Sequence, residues 1–583
     1  VNDVPSAPAD VSIIPSDYTA AMHVGAMPDA DGGTLLYNTR GQRLNNGEQG
    51  PLHDPTALVY VPTEDLQKDI VSPVDRSMCR DSRGGVANPR CPVKVAEDYT
   101  FEPLVLRVNA GQCLEVTVRN RLPEVVPDLA SFVTQHYTVI RDRENPNGPT
   151  TFNNNLIRAS SHVGFHTQLM EYDISRDDGM NVGINPVQTV APGASRTYRY
   201  YAGDLELGPR AGNPGFGALN GDRFDLVANP VEFGAAPITP ADPIKQGQKG
   251  LFGQVHILPA GSTFVADPGT RVQGTVTLAD GETTFRDFAM VFHKAVNLRY
   301  RDGSPVPNIA GEGFGVPEDA HDAGASAINY KAEPLWFRFG FDSGADWGMG
   351  GGHGPEEAGA EHEEAGAEHE EAGGEIDAGM FGDLVHADPS EAGLATIPDM
   401  YRAYSNSLTG GDPETPIYNA APGEEMRFRV TMPAGYARGT TLGIIGHNWT
   451  DMPFITKDYP SDTMAYSPSQ RQTSTQDNIL PPAAWNILTT AGGPMKVSGD
   501  YLYRDLASFG NQNGLWGIVR VEGTPVETPA PATVEPVSGG TTTEAETPET
   551  TEEAAPVVEE EPAPTRRRGR RGVRDLFGLL GGE

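Results

Sequence analysis

Gly499-Asp500-Tyr501-Leu502-Tyr503-Arg504-Asp505, followed beyond Asn511 by Gly514-Leu515-Trp516-Gly517-Ile518-Val519-Arg520-Val521, is the stretch that decides the fold. Both runs are rich in aromatic and β-branched residues and are bounded by Gly and Asn, the signature of paired strands. They read as a closing hairpin, with Trp516 and Val519 turned inward on its last strand. Tyr, Arg, Asp and Asn supply the polar groups of this hairpin and its loop, and no cysteine follows Cys113.

The same alternation recurs upstream. From Pro103 to Pro259, β-branched and aromatic residues alternate between clusters of Gly, Pro and Asn, a sandwich pattern. A second series opens at Thr284-Phe285-Arg286-Asp287-Phe288-Ala289-Met290-Val291-Phe292, continues through Leu335-Trp336-Phe337-Arg338-Phe339 and closes at Val521. Apolar repeats at helical spacing are few, so helices should be minor. The expected fold is all-β: two Greek-key β-sandwiches over residues 98–262 and 263–523, with long loop insertions. Residues 1–97 read as surface loops plus the first strand or strands of domain one, such as Ala57-Leu58-Val59-Tyr60-Val61.

Several stretches taken in order resemble the multicopper oxidase family. Residues 104–119 (LVLRVNAGQCLEVTVR), 189–203 (TVAPGASRTYRYYAG) and 250–258 (GLFGQVHIL) resemble successive strands of that family's first cupredoxin domain. Residues 421–432 (APGEEMRFRVTM), Gly446-His447-Asn448-Trp449 and the closing hairpin resemble their counterparts in a second one. The resemblance implies two cupredoxin-like domains, and it implies copper as a cofactor only where the copper motifs survive.

Those motifs are degenerate. The family's oxidases hold a trinuclear cluster through four His-x-His pairs and carry a Cys thiolate in the last loop, a soft donor beside imidazole nitrogen. This chain contains no His-x-His. The stretch resembling the first motif reads Ser160-Ser161-His162-Val163-Gly164-Phe165-His166, residues 199–217 contain no histidine, and the third motif keeps only His447. The resemblance therefore points to a non-catalytic structural or interaction component. The alternative is a copper-binding protein or residual oxidase of metals or small reductants, in which His162, His166 and His447 form a mononuclear Cu(II) or Zn(II) site. Against that site stands the plain alternative that each is a hydrogen-bonded histidine, as His136, His256 and His293 are read to be. Two-domain relatives close into trimers, so a homo-oligomer is also implied.

Acidic residues outnumber basic ones by 79 to 43, a net charge of −36, which opposes binding to nucleic acid or anionic lipid. No apolar run reaches the length of a membrane span. Cys79 and Cys91 bracket a loop that a single disulfide closes, or they remain free; a bridge would place the protein in an oxidising, extracytoplasmic compartment. Cys113, in an alternating strand, reads as a small buried hydrophobe. The start at Val1, with no methionine or signal segment before it, fits a processed exported protein and equally a cut end. Asp177-Asp178-Gly179 misses the EF-hand spacing and reads as a turn, and no hydrolase, nucleotide-binding or zincin motif is present.

Residues 348–374 hold a tandem acidic heptad containing His362 and His369, either a weak metal sponge or a slippage insertion that loop entropy tolerates. Residues 524–565 form an acidic linker expected to be disordered. It leads to residues 566–583, whose Arg566 to Leu580 portion joins a basic block to an apolar plug, Leu576-Phe577-Gly578-Leu579-Leu580, and reads as a docking peptide for a protein or surface partner.

Overall fold

The computed structural model describes residues 4–15, 35–68 apart from 45, 46 and 48, 86–126 apart from 92, 97 and 98, 159–209, 224–306 apart from 243, 244, 297 and 305, 325–340, 400–434, 439–451, 472–506 and 510–524. Cys79, His136, the 348–374 insert with His362 and His369, the linker from 525 onward and the 566–583 tail lie outside the described residues. Residues 1–528 form one compact unit.

The first sandwich is built from β1 (Ser6–Pro15), β2 (Leu58–Pro62), β3 (Leu104–Asn109), β4 (Cys113–Asn120), β5 (His166–Thr167), β6 (Ser195–Tyr201), β7 (Gly234–Thr239) and β8 (Gly253–Leu258). Its sheets run in the orders β6-β4-β1-β2 and β3-β8-β7-β5. The second uses β9 (Thr263–Ala266), β10 (Gln273–Thr277), β11 (Thr284–Val296), β12 (Ala325–Ile328), β13 (Ile417–Ala420), β14 (Glu425–Ala434), β15 (Thr440–Ile444), β16 (Thr475–Ile479), β17 (Ala483–Thr490), β18 (Gly499–Asp505) and β19 (Trp516–Val521). Its sheets are β9-β10-β11-β14-β17, with β12 also on β11, and β13-β19-β18-β15-β16.

The second sandwich repeats the first. The parallel pair β1/β4 corresponds to β11/β14, and the parallel pair β3/β8 to β13/β19. The antiparallel neighbours β4/β6 and β14/β17, β7/β8 and β18/β19, and β5/β7 and β15/β18 correspond in the same way. Strands β3 to β7 alternate between the two sheets, and β13, β14, β15, β17 and β18 do the same in the repeat, the crossing expected of a cupredoxin-like Greek key. His166 opens β5 and pairs with Thr239 at the end of β7, whereas His447 follows β15 and packs on Tyr501 near the start of β18, so the two stand at opposite ends of corresponding strands.

Period-two alternation sets what each strand buries. Val116 and Val118 on β4 enter the first core with Val11, Tyr60, Phe165 and Tyr200; Phe428 and Val430 on β14 enter the second with Phe288, Ile487 and Val519. Cys113 is a free thiol, fully buried on β4, in keeping with a core role. Asp177 and Asp178 lie in a turn whose Gly179 has φ +75; a Cβ there would meet the Phe165 carbonyl at 2.1 Å, so only glycine fits.

Three expectations change. Val519 points inward, but Trp516 lies an odd number of residues away and faces the other side of β19. It is buried there with Leu335 and Ala403; its Nε1 donates to the Glu333 carbonyl at 2.8 Å, and the Arg338 guanidinium sits 5.1 Å from the ring. Leu335–Phe339, expected as a strand, is a one-turn helix, α1. Pro334 opens it and Gly340, at φ +85, closes it in the left-handed conformation, leaving no room for a strand between the two stops. Lastly, the described residues between 35 and 101 supply more than surface loops and the first strands of domain one. Leu35, Tyr37, Leu52, Val59, Val93 and Phe101 build a third core with Phe252, Val291, Tyr330 and Phe337.

Candidate functional site

The three histidines expected to share a metal are held separately. His162 is exposed on the segment before β5. Its backbone N–H donates to Ser160 Oγ at 3.1 Å and its carbonyl accepts from Gln246 Nε2 at 2.8 Å. His166 is part-buried, with Nδ1 2.9 Å from the Asp178 carbonyl oxygen and 3.2 Å from Asp178 Oδ1. Tyr172 donates to the same Oδ1 at 3.0 Å, and burial together with this carboxylate pushes its hydroxyl up to about 12. His447 is buried with its ring edge-on to Tyr501, centroids 4.6 Å apart, and burial lowers its pKa.

Among the described residues, no group of three or more His, Cys, Asp or Glu side chains is placed to hold a metal ion. Cys113, a thiol of the kind a blue-copper centre uses, is fully buried on β4, on the face opposite Val116 and Val118 and paired in register with Tyr201. The donor set among these residues does not fit copper of the family's kind, and no copper step is derived.

The structure does assemble a different cluster, between the facing sheets of the two sandwiches. Asp287 on β11 is fully buried and accepts from three sides. His256 Nδ1 on β8 lies 2.6 Å from its Oδ2, Arg107 Nε on β3 3.3 Å from the same oxygen, and Arg429 Nε on β14 3.0 Å from Oδ1. Arg429 continues to Asn486 Oδ1 at 2.9 Å and to Glu232 Oε1 at 3.4 Å, where Arg427 also binds at 2.9 Å. Asn486 ties the two sandwiches through the backbone as well: its Oδ1 accepts from Ala235 N and its Nδ2 donates to the Phe233 carbonyl, both at 3.0 Å. Thr431 Oγ1 on β14 also meets Gln254 Oε1 on β8 across the seam, at 3.1 Å.

The charge states follow from this geometry. Burial alone would raise the Asp287 carboxyl, but His256 and the two guanidiniums outweigh it and hold the group far below the usual carboxylate range. Burial lowers His256 to about 4, the Asp287 carboxylate only partly opposing it, so the imidazole is neutral at pH 7. Glu232 is raised by burial, with Arg429 and Arg427 acting against the shift. The cluster is an internal latch: a carboxylate from one sandwich grips an imidazole and a guanidinium from the other.

Sequence reading took His256 as structural, which the geometry bears out, but it missed the cluster. The usable signal was charge within otherwise apolar strands: Arg107 in LVLRVN, Asp287 in TFRDFAMVF, and Arg427 and Arg429 in EMRFRVTM.

No family model matches this chain, and neither does any curated protein. Among solved structures it is similar to a copper nitrite reductase from Nitrosomonas europaea, at TM-score 0.34 and 10% identity over 89% of this chain and 94% of that one. It is also similar to a multicopper oxidase, at TM-score 0.31 and 12% identity over 72% of this chain and 78% of the other. At these scores neither likeness bears on activity.

Proposed function

We propose that this chain is an extracytoplasmic, non-catalytic scaffold or interaction component, built on cupredoxin-like sandwiches whose copper positions have passed to packing and ion pairing. The observation that carries this reading is the separate fate of His162, His166 and His447: one exposed, one tied to Asp178, one buried against Tyr501. Ion pairing has also taken over the buried seam, where two guanidiniums flank the Asp287 carboxylate and repel any cation. Support for the compartment comes from Cys91, which is disulfide-bonded, a state that persists in oxidising surroundings. The basic and apolar sequence of residues 566–583 is then the natural contact point for a partner.

The test is to titrate the purified protein with Cu(II), record absorption and electron paramagnetic resonance spectra, and assay oxidation of small reductants. The expected result is no intense thiolate-to-copper absorption and no turnover. Stoichiometric copper with turnover, lost in His166→Ala or His447→Ala, would sink the reading.

A further inference from the structure

The latch leaves three buried atoms whose hydrogen-bonding capacity no protein group takes up: His256 Nε2, Gln254 Nε2 and Arg107 Nη2. They belong together by register. Arg107 stands opposite His256 in the β3/β8 pairing, both side chains reach Asp287 Oδ2, and Gln254 precedes His256 by two residues on the same face of β8. Buried polar groups are rarely left unsatisfied, because desolvation without a new partner is costly.

The chemistry of the three atoms selects what can sit with them. A carboxylate only accepts, so the proton between His256 and Asp287 lies on Nδ1, and Nε2 of the neutral ring presents a lone pair. Gln254 Nε2 and Arg107 Nη2 only donate. A metal ion would suit the lone pair but would face the Arg107 and Arg429 guanidiniums. An anion would suit the donors but would meet the imidazole lone pair and the Asp287 charge. Only a small neutral group that both donates and accepts satisfies all three atoms.

We infer that the seam is a built site for one water molecule, which donates to His256 Nε2 and accepts from Arg107 Nη2 and Gln254 Nε2, and that this site rejects divalent metal. The water extends the latch: it finishes the imidazole's hydrogen bonding without adding charge to the seam.

The test is a crystal structure of the full chain at a resolution that orders internal water, with a second crystal soaked in Cu(II). The expected result is one spherical peak about 2.7–3.2 Å from His256 Nε2, with no anomalous signal after soaking. A protein group bonded to Nε2, no density beside it, or an anomalous peak there would overturn the proposal. In solution, selective 15N labelling of histidine should give His256 the neutral Nδ1–H tautomer. Gln254→Leu, which leaves the Asp287 contacts alone, should shift its Nε2 resonance; an unchanged resonance counts against the site as drawn.

Discussion

Asp287→Asn tests the latch most directly. The change preserves shape, so it opens no cavity, but it removes the carboxylate charge that Arg107 and Arg429 share and, whichever way the amide turns, points an N–H at a guanidinium that can only donate. Asp287 and Arg429 are wholly buried and Arg107 nearly so, and the three contacts are 2.6, 3.0 and 3.3 Å long. Breaking a buried ion pair by removing one partner typically costs about 3–5 kcal/mol. The three contacts are not additive, since all converge on one carboxylate. The expected loss is therefore about 3–5 kcal/mol, a large share of the roughly 5–15 kcal/mol that stabilises a domain. Urea unfolding at pH 7, followed by tryptophan fluorescence, measures it, and a double-mutant cycle with Arg429→Met should return a coupling of about 0.5–3 kcal/mol. A loss below about 1 kcal/mol, the effect of an ordinary substitution, would show that the carboxylate is solvated and the latch reading wrong.

Acid should weaken the fold through its buried histidines. Burial lowers His53 to about 4 and His293 to about 3. The unfolded chain therefore binds protons that the folded chain refuses, and stability, complete above about pH 7, falls as pH drops through about 6.5, by roughly 2–3 kcal/mol per histidine at pH 4.5. Urea midpoints across that range check this, and His293→Leu should flatten the dependence; an unchanged slope would contradict it. Trp516→Ala should cost about 3–5 kcal/mol in the same assay, as a large buried aromatic usually does, and a cost under 1 would mean that the α1 side of β19 is not a packed core. Removing residues 566–583, or replacing Leu576, Phe577, Leu579 and Leu580 with alanine, should abolish partner or surface association in pull-down from the native source while leaving the urea midpoint unchanged. Retained association in both variants at physiological salt would make the tail an unselected extension.

The alternation of Val116 and Val118 on β4, or of Phe428 and Val430 on β14, could be read as strands because half of each strand meets a core made by its own sandwich. The other face misled. Arg427, Arg429 and Thr431 occupy the positions that a one-sided sheet gives to water, yet β14 is buried over nearly its whole length because the first sandwich covers that face. Nothing in a single strand says what covers its second face, so no strand read by itself brings Asp287 and its partners together. Leu335–Phe339 failed for a related reason: five apolar residues carry no usable period, and their stops decided the outcome. The copper-like histidines were read from motif order, which says where a residue lies along the chain and not which side chains converge.

The third core has a consequence for how the chain is made. Asn38 donates to the Ala332 carbonyl at 2.9 Å, 294 positions further along the chain, and Tyr37 packs edge-on against Tyr330. A ribosome adding about 5–20 residues per second needs roughly 15–60 seconds to cover that distance. Throughout that interval Leu35, Tyr37 and Leu52 have been synthesised, while Val291, Tyr330 and Phe337, which complete their core, come only at its end. The early chain therefore carries apolar surface that the first sandwich cannot fully hide by itself. Expressed alone, the first sandwich would present that same uncovered face and should aggregate.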